Sequence, residues 1–216
     1  MITTVDVETS WQVTSTGGYD PSPFHPDNIL VSVGINDEYY FTNHSERIDK
    51  GCYHNIQSIL DKTTLLIGHN IKFDLMWLLE SGFKYSGRVY DTMLGEYILN
   101  RGIRKSLTLE MSCRRRRIGS KDSRIKEFTD RGIPFQNIPV GLVEEYGRMD
   151  VQITRDLFNS QMADFKMPKN KHLLKTAKMM NEFLVVLSDM ERNGINVSLD
   201  ELSKVEREYR AEFAYL

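Results

Sequence analysis

Cysteine and proline are scarce here: two cysteines and six prolines stand among 216 residues. Cys52 and Cys113 show no metal-ligand spacing and cannot build a disulfide framework. No apolar run approaches the ~18 residues that a membrane span needs. The start, Met1-Ile2-Thr3-Thr4, has no basic region of the kind that opens a secretory signal. A reducing, cytoplasmic location with no membrane partner is the expectation. No internal repeat or low-complexity tract stands out. Net charge is only −2, and contents of 40% hydrophobic and 27% charged residues suit a soluble globular chain. The length fits one ordinary domain with a short extension.

The charge is unevenly distributed. Residues 101–131 carry a local balance of +7 and the rest of the chain −9. Such segregation suggests a basic face for a polyanion and an acidic pocket elsewhere.

The local pattern alternates between strands and helices. Ile2 to Val7, Ile29 to Ile35 and Glu38 to Asn43 read as strands, with Asn36-Asp37 as a hairpin turn between the last two. The polar stretch from Thr9 to Asn28 reads as a loop. Short strands are expected at Thr64 to Gly68 and Arg88 to Tyr90. Helices are expected at Tyr53 to Asp61, Phe73 to Ser81 (with Gly82 as its cap), Thr92 to Asn100, Leu107 to Arg116, Leu142 to Asp164 and His172 to Asn193. Ser198-Leu199-Asp200-Glu201 has the form of a capping box opening a last helix. The order implies an α/β domain on a mixed sheet flanked by helices, with a C-terminal helical extension. The division expected is 1–166 for the domain and 167–216 for the extension, with Met167-Pro168-Lys169-Asn170 as the joint.

Three acidic settings draw attention. Asp6 and Glu8 lie two apart on the first strand, so both side chains fall on one face. Two carboxylates on a buried face are costly and raise each other's pKa unless a cation neutralises them. Asp74 sits in the first turn of an otherwise apolar helix, after His69-Asn70-Ile71-Lys72-Phe73. Tyr146 and Asp150, four apart, share a face of the long helix. Each alone has an ordinary reading: an edge-strand pair facing solvent, an acid complementing a helix dipole, a solvated acid beside a core tyrosine.

Together the three change the reading. Asp-x-Glu on an N-terminal strand, Asn-x-x-Phe-Asp at a helix start and Tyr-x-x-x-Asp on a late helix resemble the three motifs of the DEDD exonucleases. They stand in the same order. The tyrosine places the resemblance with the DEDDy branch, nearest the proofreading domain of family A DNA polymerases of bacterial and phage type. Asp91-Thr92-Met93-Leu94 with Tyr97-Ile98-Leu99-Asn100 resembles that family's segment after its second motif. Leu187 to Val197, with Met190-Glu191-Arg192-Asn193-Gly194, resembles its linker into the polymerase region.

The resemblance implies a ribonuclease H-like fold and a 3′→5′ exonuclease that uses two divalent metal ions, Mg²⁺ or Mn²⁺, to release nucleoside 5′-monophosphates. Asp6 would bridge the ions, Glu8 and Asp150 would complete the first site, and Asp74 would hold the second. Tyr146 would orient the attacking water. Single-stranded DNA 3′ ends would be the substrate, and proofreading during DNA replication the role. Thr9 and Asn70 are candidate contacts to the terminal nucleotide. Trp11 could stack on a base, which is worth ~1–3 kcal/mol, or anchor its loop on the core. His69 reads as a structural hydrogen-bonding residue. Arg114 and Arg115, in the run Arg114 to Arg117, either track phosphates or belong to a solvated basic segment.

No polymerase carboxylates are recognisable. A piece of a longer polymerase, a separately encoded exonuclease that pairs with a polymerase chain, and a freestanding nuclease all fit. Leu202, Val205, Tyr209, Phe213 and Leu216 form an apolar stripe suited to a partner or to the preceding helix. A phage origin, hence a host cytoplasm, is expected from a chain that opens on the first motif. The alternatives are an exoribonuclease of the same superfamily and a non-catalytic scaffold.

Overall fold

The computed structural model describes residues 1–119 and 124–214. Leu216, the last residue of the apolar stripe, lies outside them.

A five-stranded mixed sheet forms the centre. Its strands are β1 (Ile2–Thr9), β4 (Leu30–Ile35), β5 (Glu38–Phe41), β6 (Leu65–Gly68) and β7 (Arg88–Asp91). They run in the order β5-β4-β1-β6-β7. The pairs β1–β4 and β4–β5 are antiparallel, whereas β1–β6 and β6–β7 are parallel. Between β1 and β4 a small hairpin of β2 (Gln12–Val13) and β3 (Tyr19–Asp20) replaces the plain loop expected there. The Asn36 turn is left-handed at φ 53°, as a tight hairpin requires.

Helices cover both faces. On one lie α1 (Cys52–Leu60), α2 (Ile71–Glu80) and part of α7 (Leu173–Asn193). Val5, Val7, Val33, Ile35, Leu66 and Val89 bury against Ile56, Leu75, Leu78 and Leu184 of those helices. On the other face lies α6 (Val140–Lys166), which starts just after the Pro139 cap. Tyr39 and Phe41 pack there with Val143 and Tyr146, and Ile67 and Tyr90 with Phe158 and Phe165. Helix α3 (Thr92–Leu99) follows β7 directly, and α4 (Leu109–Arg116) packs on α6 through Leu109 and Cys113. A one-and-a-half-turn helix, α5 (Arg124–Thr129), and a 3-10 turn at Phe135–Asn137 occupy the stretch before α6. The pattern had given no helix at α5.

Two glycines set how close α6 comes to the sheet. A β-carbon on Gly34 would stand 2.8 Å from Val151 of α6, and one on Gly147 would run into the Tyr39 ring. Tyr39 fills the gap they leave. Its hydroxyl bonds Ser32 at 2.8 Å and donates to the Val143 carbonyl at 3.2 Å. This contact delivers Tyr146 and Asp150, on either side of Gly147, to the face carrying Asp6 and Glu8.

The C-terminal region divides unevenly. Helix α7 is part of the body: Ala177, Asn181, Leu184 and Ser188 are buried. Helix α8 (Leu199–Phe213) opens on the expected Ser198 cap, whose Oγ accepts from the Glu201 N–H at 3.3 Å, and buries no residue. Among the described residues no helix is long and apolar enough to cross a membrane.

Candidate active site

The four acids and the tyrosine come from three elements and meet at the C-terminal end of β1. Asp6 is opposite Gly34 and Glu8 opposite Ser32 in the β1–β4 register. Neither partner has a side chain long enough to compete for the space above. Glu8 is buried, and Asp6 partly so. The ladder shifts between Glu8 and Thr9, and Thr9, next to Glu8 in the chain, is itself buried.

Asp74 arrives from the side. The β1–β6 pairing ends at Thr4 and Ile67, leaving the β6 side of β1 open. The Val7 N–H, which points into this gap, donates to Asp74 Oδ1 at 3.0 Å. A carboxylate thus takes the place of a ladder partner where β6 has ended at Gly68 and β1 runs on, at the carboxyl ends of the parallel strands, the usual location of ligand sites in such sheets. Asp74 is buried, and its carboxyl is pushed well above the ordinary range, first by burial and then by Asp6.

Asp150 and Tyr146 come down from α6. Asp150 is buried. Burial, then Glu8, Asp150 and Asp6, raise the Tyr146 phenol far above its ordinary value. Tyr39 is raised by burial and then Glu8, with Asp6 contributing. The Cys113 thiol is pushed up to about 11 by burial and then Asp150. These mutual influences place Asp6, Glu8, Asp74, Asp150 and Tyr146 in one electrostatic neighbourhood.

The donor set is all oxygen, which suits hard divalent cations. Buried like charges forced together also call for one. Among the described residues, no three His, Cys, Asp or Glu side chains already stand close enough to cage a metal ion. A divalent cation bound among these acids would offset the repulsion of their charges.

The remaining candidates separate. Trp11 is half-buried, packing edge-on against Tyr19 at 5.5 Å and Phe135 at 6.0 Å between ring centres. Phe135 in turn lies 6.0 Å from Tyr146, so an aromatic row leads from the hairpin to the acids. Asn70 is exposed at the start of α2. His69 bridges Thr92 Oγ1 at 2.9 Å and the Leu107 carbonyl at 2.8 Å, a structural link.

The arginine run splits in two. Arg115 donates to the Ser106 carbonyl at 2.6 Å, to Ser112 Oγ at 3.1 Å and to Glu96 at 3.2 Å. Arg116 pairs with buried Glu96 and with Asp164. Both guanidiniums are committed internally, so Arg115 does not offer the free cation expected of a substrate contact. Arg114 and Arg117 remain exposed. Helical spacing gives the reason, because four consecutive side chains cannot share one face.

Sequence reasoning passed over three residues. Tyr39 looked like one more strand aromatic. Gly34 and Gly147 carried no visible message, because close approach of a helix to a sheet leaves no local pattern.

A family model described as "3′-5′ exonuclease" matches residues 22–162. The match takes in Asp74, Tyr146 and Asp150 but begins after Asp6 and Glu8. DNA polymerase I of Borreliella burgdorferi is 27% identical over 138 residues, covering 64% of this chain and 15% of the relative. DNA polymerase I of Chloroflexus aurantiacus is 27% identical over 151 residues, covering 68% and 16% respectively. The chain therefore spans about a sixth of the length of these relatives. Among solved structures, Brucella melitensis NrnC with bound Mg²⁺ superimposes with a TM-score of 0.64 at 17% identity, covering 89% of this chain and 86% of the other. The same protein bound to pGG gives 0.63 at 19%, covering 89% and 85%. The catalytic core of RRP6 from Trypanosoma brucei gives 0.55 at 11%, covering 85% and 46%. These likenesses show the ribonuclease H-like fold.

Proposed function

The chain belongs to the 3′-5′ exonuclease family, and from that membership we propose that it trims DNA 3′ ends to nucleoside 5′-monophosphates, with Asp6, Glu8, Asp74 and Asp150 holding two divalent metal ions. The observation that carries this is the convergence of these acids at the end of β1, where Asp74 is buried and held by the Val7 amide. Two such ions, when bound, serve the attacking and leaving oxygens of an in-line displacement at phosphorus.

The chain's own groups do the rest. Tyr146, with its phenol raised, stays a neutral donor at neutral pH. It orients the attacking water and does not deprotonate it. Buried Thr9 and exposed Asn70 flank the acids and contact the terminal nucleotide. Trp11 and Phe135 offer ring faces and edges for the bases behind it. Arg114 and Arg117 supply phosphate contacts, and Arg115 is left out because Glu96 occupies it.

The similarity to DNA polymerase I supports proofreading beside a polymerase, within the same chain or as a partner. The burial of α7 supports an exonuclease unit that runs to Asn193, longer than the 1–166 expected, with α8 alone as extension. A second reading, an exoribonuclease of the same superfamily, is supported by the fold shared with RRP6 and with NrnC bound to pGG.

The test uses 5′-labelled and 3′-labelled single-stranded DNA and RNA oligonucleotides with Mg²⁺, Mn²⁺ or EDTA. Stepwise shortening of 5′-labelled DNA, with mononucleotide released from the 3′ label, is expected, and EDTA abolishes it. Faster degradation of RNA would select the second reading. An inert protein on both polymers with either metal would remove the catalytic assignment.

A further inference from the structure

Helix α2 begins without a cap of its own. Asn70, at the cap position, is left-handed (φ 64°, ψ 43°), and its side chain makes no capping hydrogen bond. The Asn70 N–H donates instead to Asp91 Oδ1, at 2.9 Å, from the end of β7. The same oxygen accepts from the Met93 N–H at 2.8 Å and so caps α3. One carboxylate oxygen holds the first turns of two helices. The positive ends of both helices favour an anion there.

The arrangement is costly enough to need a reason. Asp91 is 1% exposed. Its other oxygen, Oδ2, has no hydrogen-bond partner among the described residues. A second stitch runs alongside, in which Thr92 Oγ1 donates to the Gly68 carbonyl at 3.1 Å and lies 2.9 Å from His69 Nδ1. The Asp91 N–H is fixed from α7, donating to Asn181 Oδ1 at 2.6 Å. Asn181 is itself anchored, donating to the Ala177 carbonyl at 2.8 Å.

What this chain of contacts fixes is the start of α2, and Asp74 stands on its first turn. We propose that Asp91 is a positioning residue for Asp74: by pinning the Asn70 amide to β7, α3 and α7, it sets where the Asp74 carboxylate stands relative to β1. The proposal rests on the reading of Asp74 as a metal ligand. Displacing the Asn70 amide swings the first turn of α2 and with it both the Val7–Asp74 hydrogen bond and the acid's distance from Asp6 and Glu8. Helix α7 thereby acts on the site through Asp91.

The test compares wild type with Asp91→Ala, Asp91→Asn, Asn181→Ala and a control, Leu60→Ala, which opens a cavity under α1 away from the acids. Three quantities are read: kcat and KM on single-stranded DNA, Mn²⁺ affinity of the DNA-free protein by calorimetry, and melting temperature. Asp91→Ala lowers kcat by about 10²-fold, the cost of a misplacement of about 1 Å, and weakens Mn²⁺ binding about 10-fold, with KM unchanged. Asp91→Asn, which still offers an oxygen to both amides, recovers most of both losses. Asn181→Ala shows the same signature, reduced. A kcat loss in Asp91→Ala no larger than that of Leu60→Ala at matched melting temperature overturns the proposal, as does a loss carried by KM. If Asp91→Ala fails to fold, unchanged kcat and Mn²⁺ affinity in Asn181→Ala overturn it. Asp74→Ala separates the two readings. If that variant keeps activity and Mn²⁺ binding, the site assignment fails; if it loses both while Asp91→Ala stays intact, only the positioning role fails.

Discussion

The two faces of β1 are built from the same strand and both are covered, yet they obey opposite rules. Val5 and Val7 face α1 and α2 and bury hydrocarbon at a gain of about 2 kcal/mol each. Asp6 and Glu8 face α6, where covering a carboxylate costs free energy unless something compensates. On the function proposed above, the fold is stored in the first face and the chemistry in the second. Gly34 and Gly147, which admit α6 so closely, belong to the second face as much as the acids do. The contrast teaches that a local violation of the burial rule, on an element otherwise following it, marks the working surface.

Substitutions on the two faces should therefore part stability from activity. The largest effect is expected for Asp6→Ala: kcat falls by on the order of 10³-fold or more, since metal-assisted charge stabilisation is worth several kcal/mol. Its melting temperature in EDTA does not fall, because a like charge beside Asp74 has been removed. Next, saturating Mn²⁺ should stabilise the wild type by about 2.7 kcal/mol at a hundredfold excess over its dissociation constant. Thermal melts with and without Mn²⁺ measure this, and Asp6→Ala should show little of it. Tyr146→Phe keeps the ring packed on Phe135 and removes the hydroxyl, so kcat should drop about 10²-fold with no change in melting temperature. Val5→Ala inverts the pattern: urea titration should show a loss of about 2 kcal/mol, with near-wild-type kcat at temperatures where the variant is folded. Deleting residues 195–216 should be the mildest change, within about 0.5 kcal/mol and without effect on kcat, because α8 buries nothing. A large loss there would show that α8 belongs to the body in solution.

Much of this was legible in the sequence, for reasons that differ by element. Strand β1 announced itself through alternation, and its acids through breaking the apolar pattern. The long helix carrying Tyr146 and Asp150 was readable from periodicity, although it begins at Val140, directly after Pro139, and not at Leu142. Helix α2 was expected from Phe73 and starts at Ile71 because its first turn is held by Asp91, a residue far along the chain. Such a remote cap leaves no local signal. The β2–β3 hairpin was hidden in a polar stretch whose turn residues mask two-residue strands. Helix α5 has six residues, too few to establish a period. The fate of Arg115 turned on Glu96, whose burial under α4 and α6 is a tertiary fact. The split of the C-terminal region into a packed α7 and a bare α8 was equally invisible, since both helices carry apolar stripes.

The measurement that bears most directly on the two-face account is the degradation of 5′-labelled single-stranded DNA by wild type, Asp6→Ala and Val5→Ala, with Mn²⁺ and at a temperature where all three are folded. Wild type and Val5→Ala should produce the same ladder of 3′-shortened products, and Asp6→Ala should leave the substrate intact. Degradation by Asp6→Ala at the wild-type rate would contradict the assignment of chemistry to the acidic face of β1.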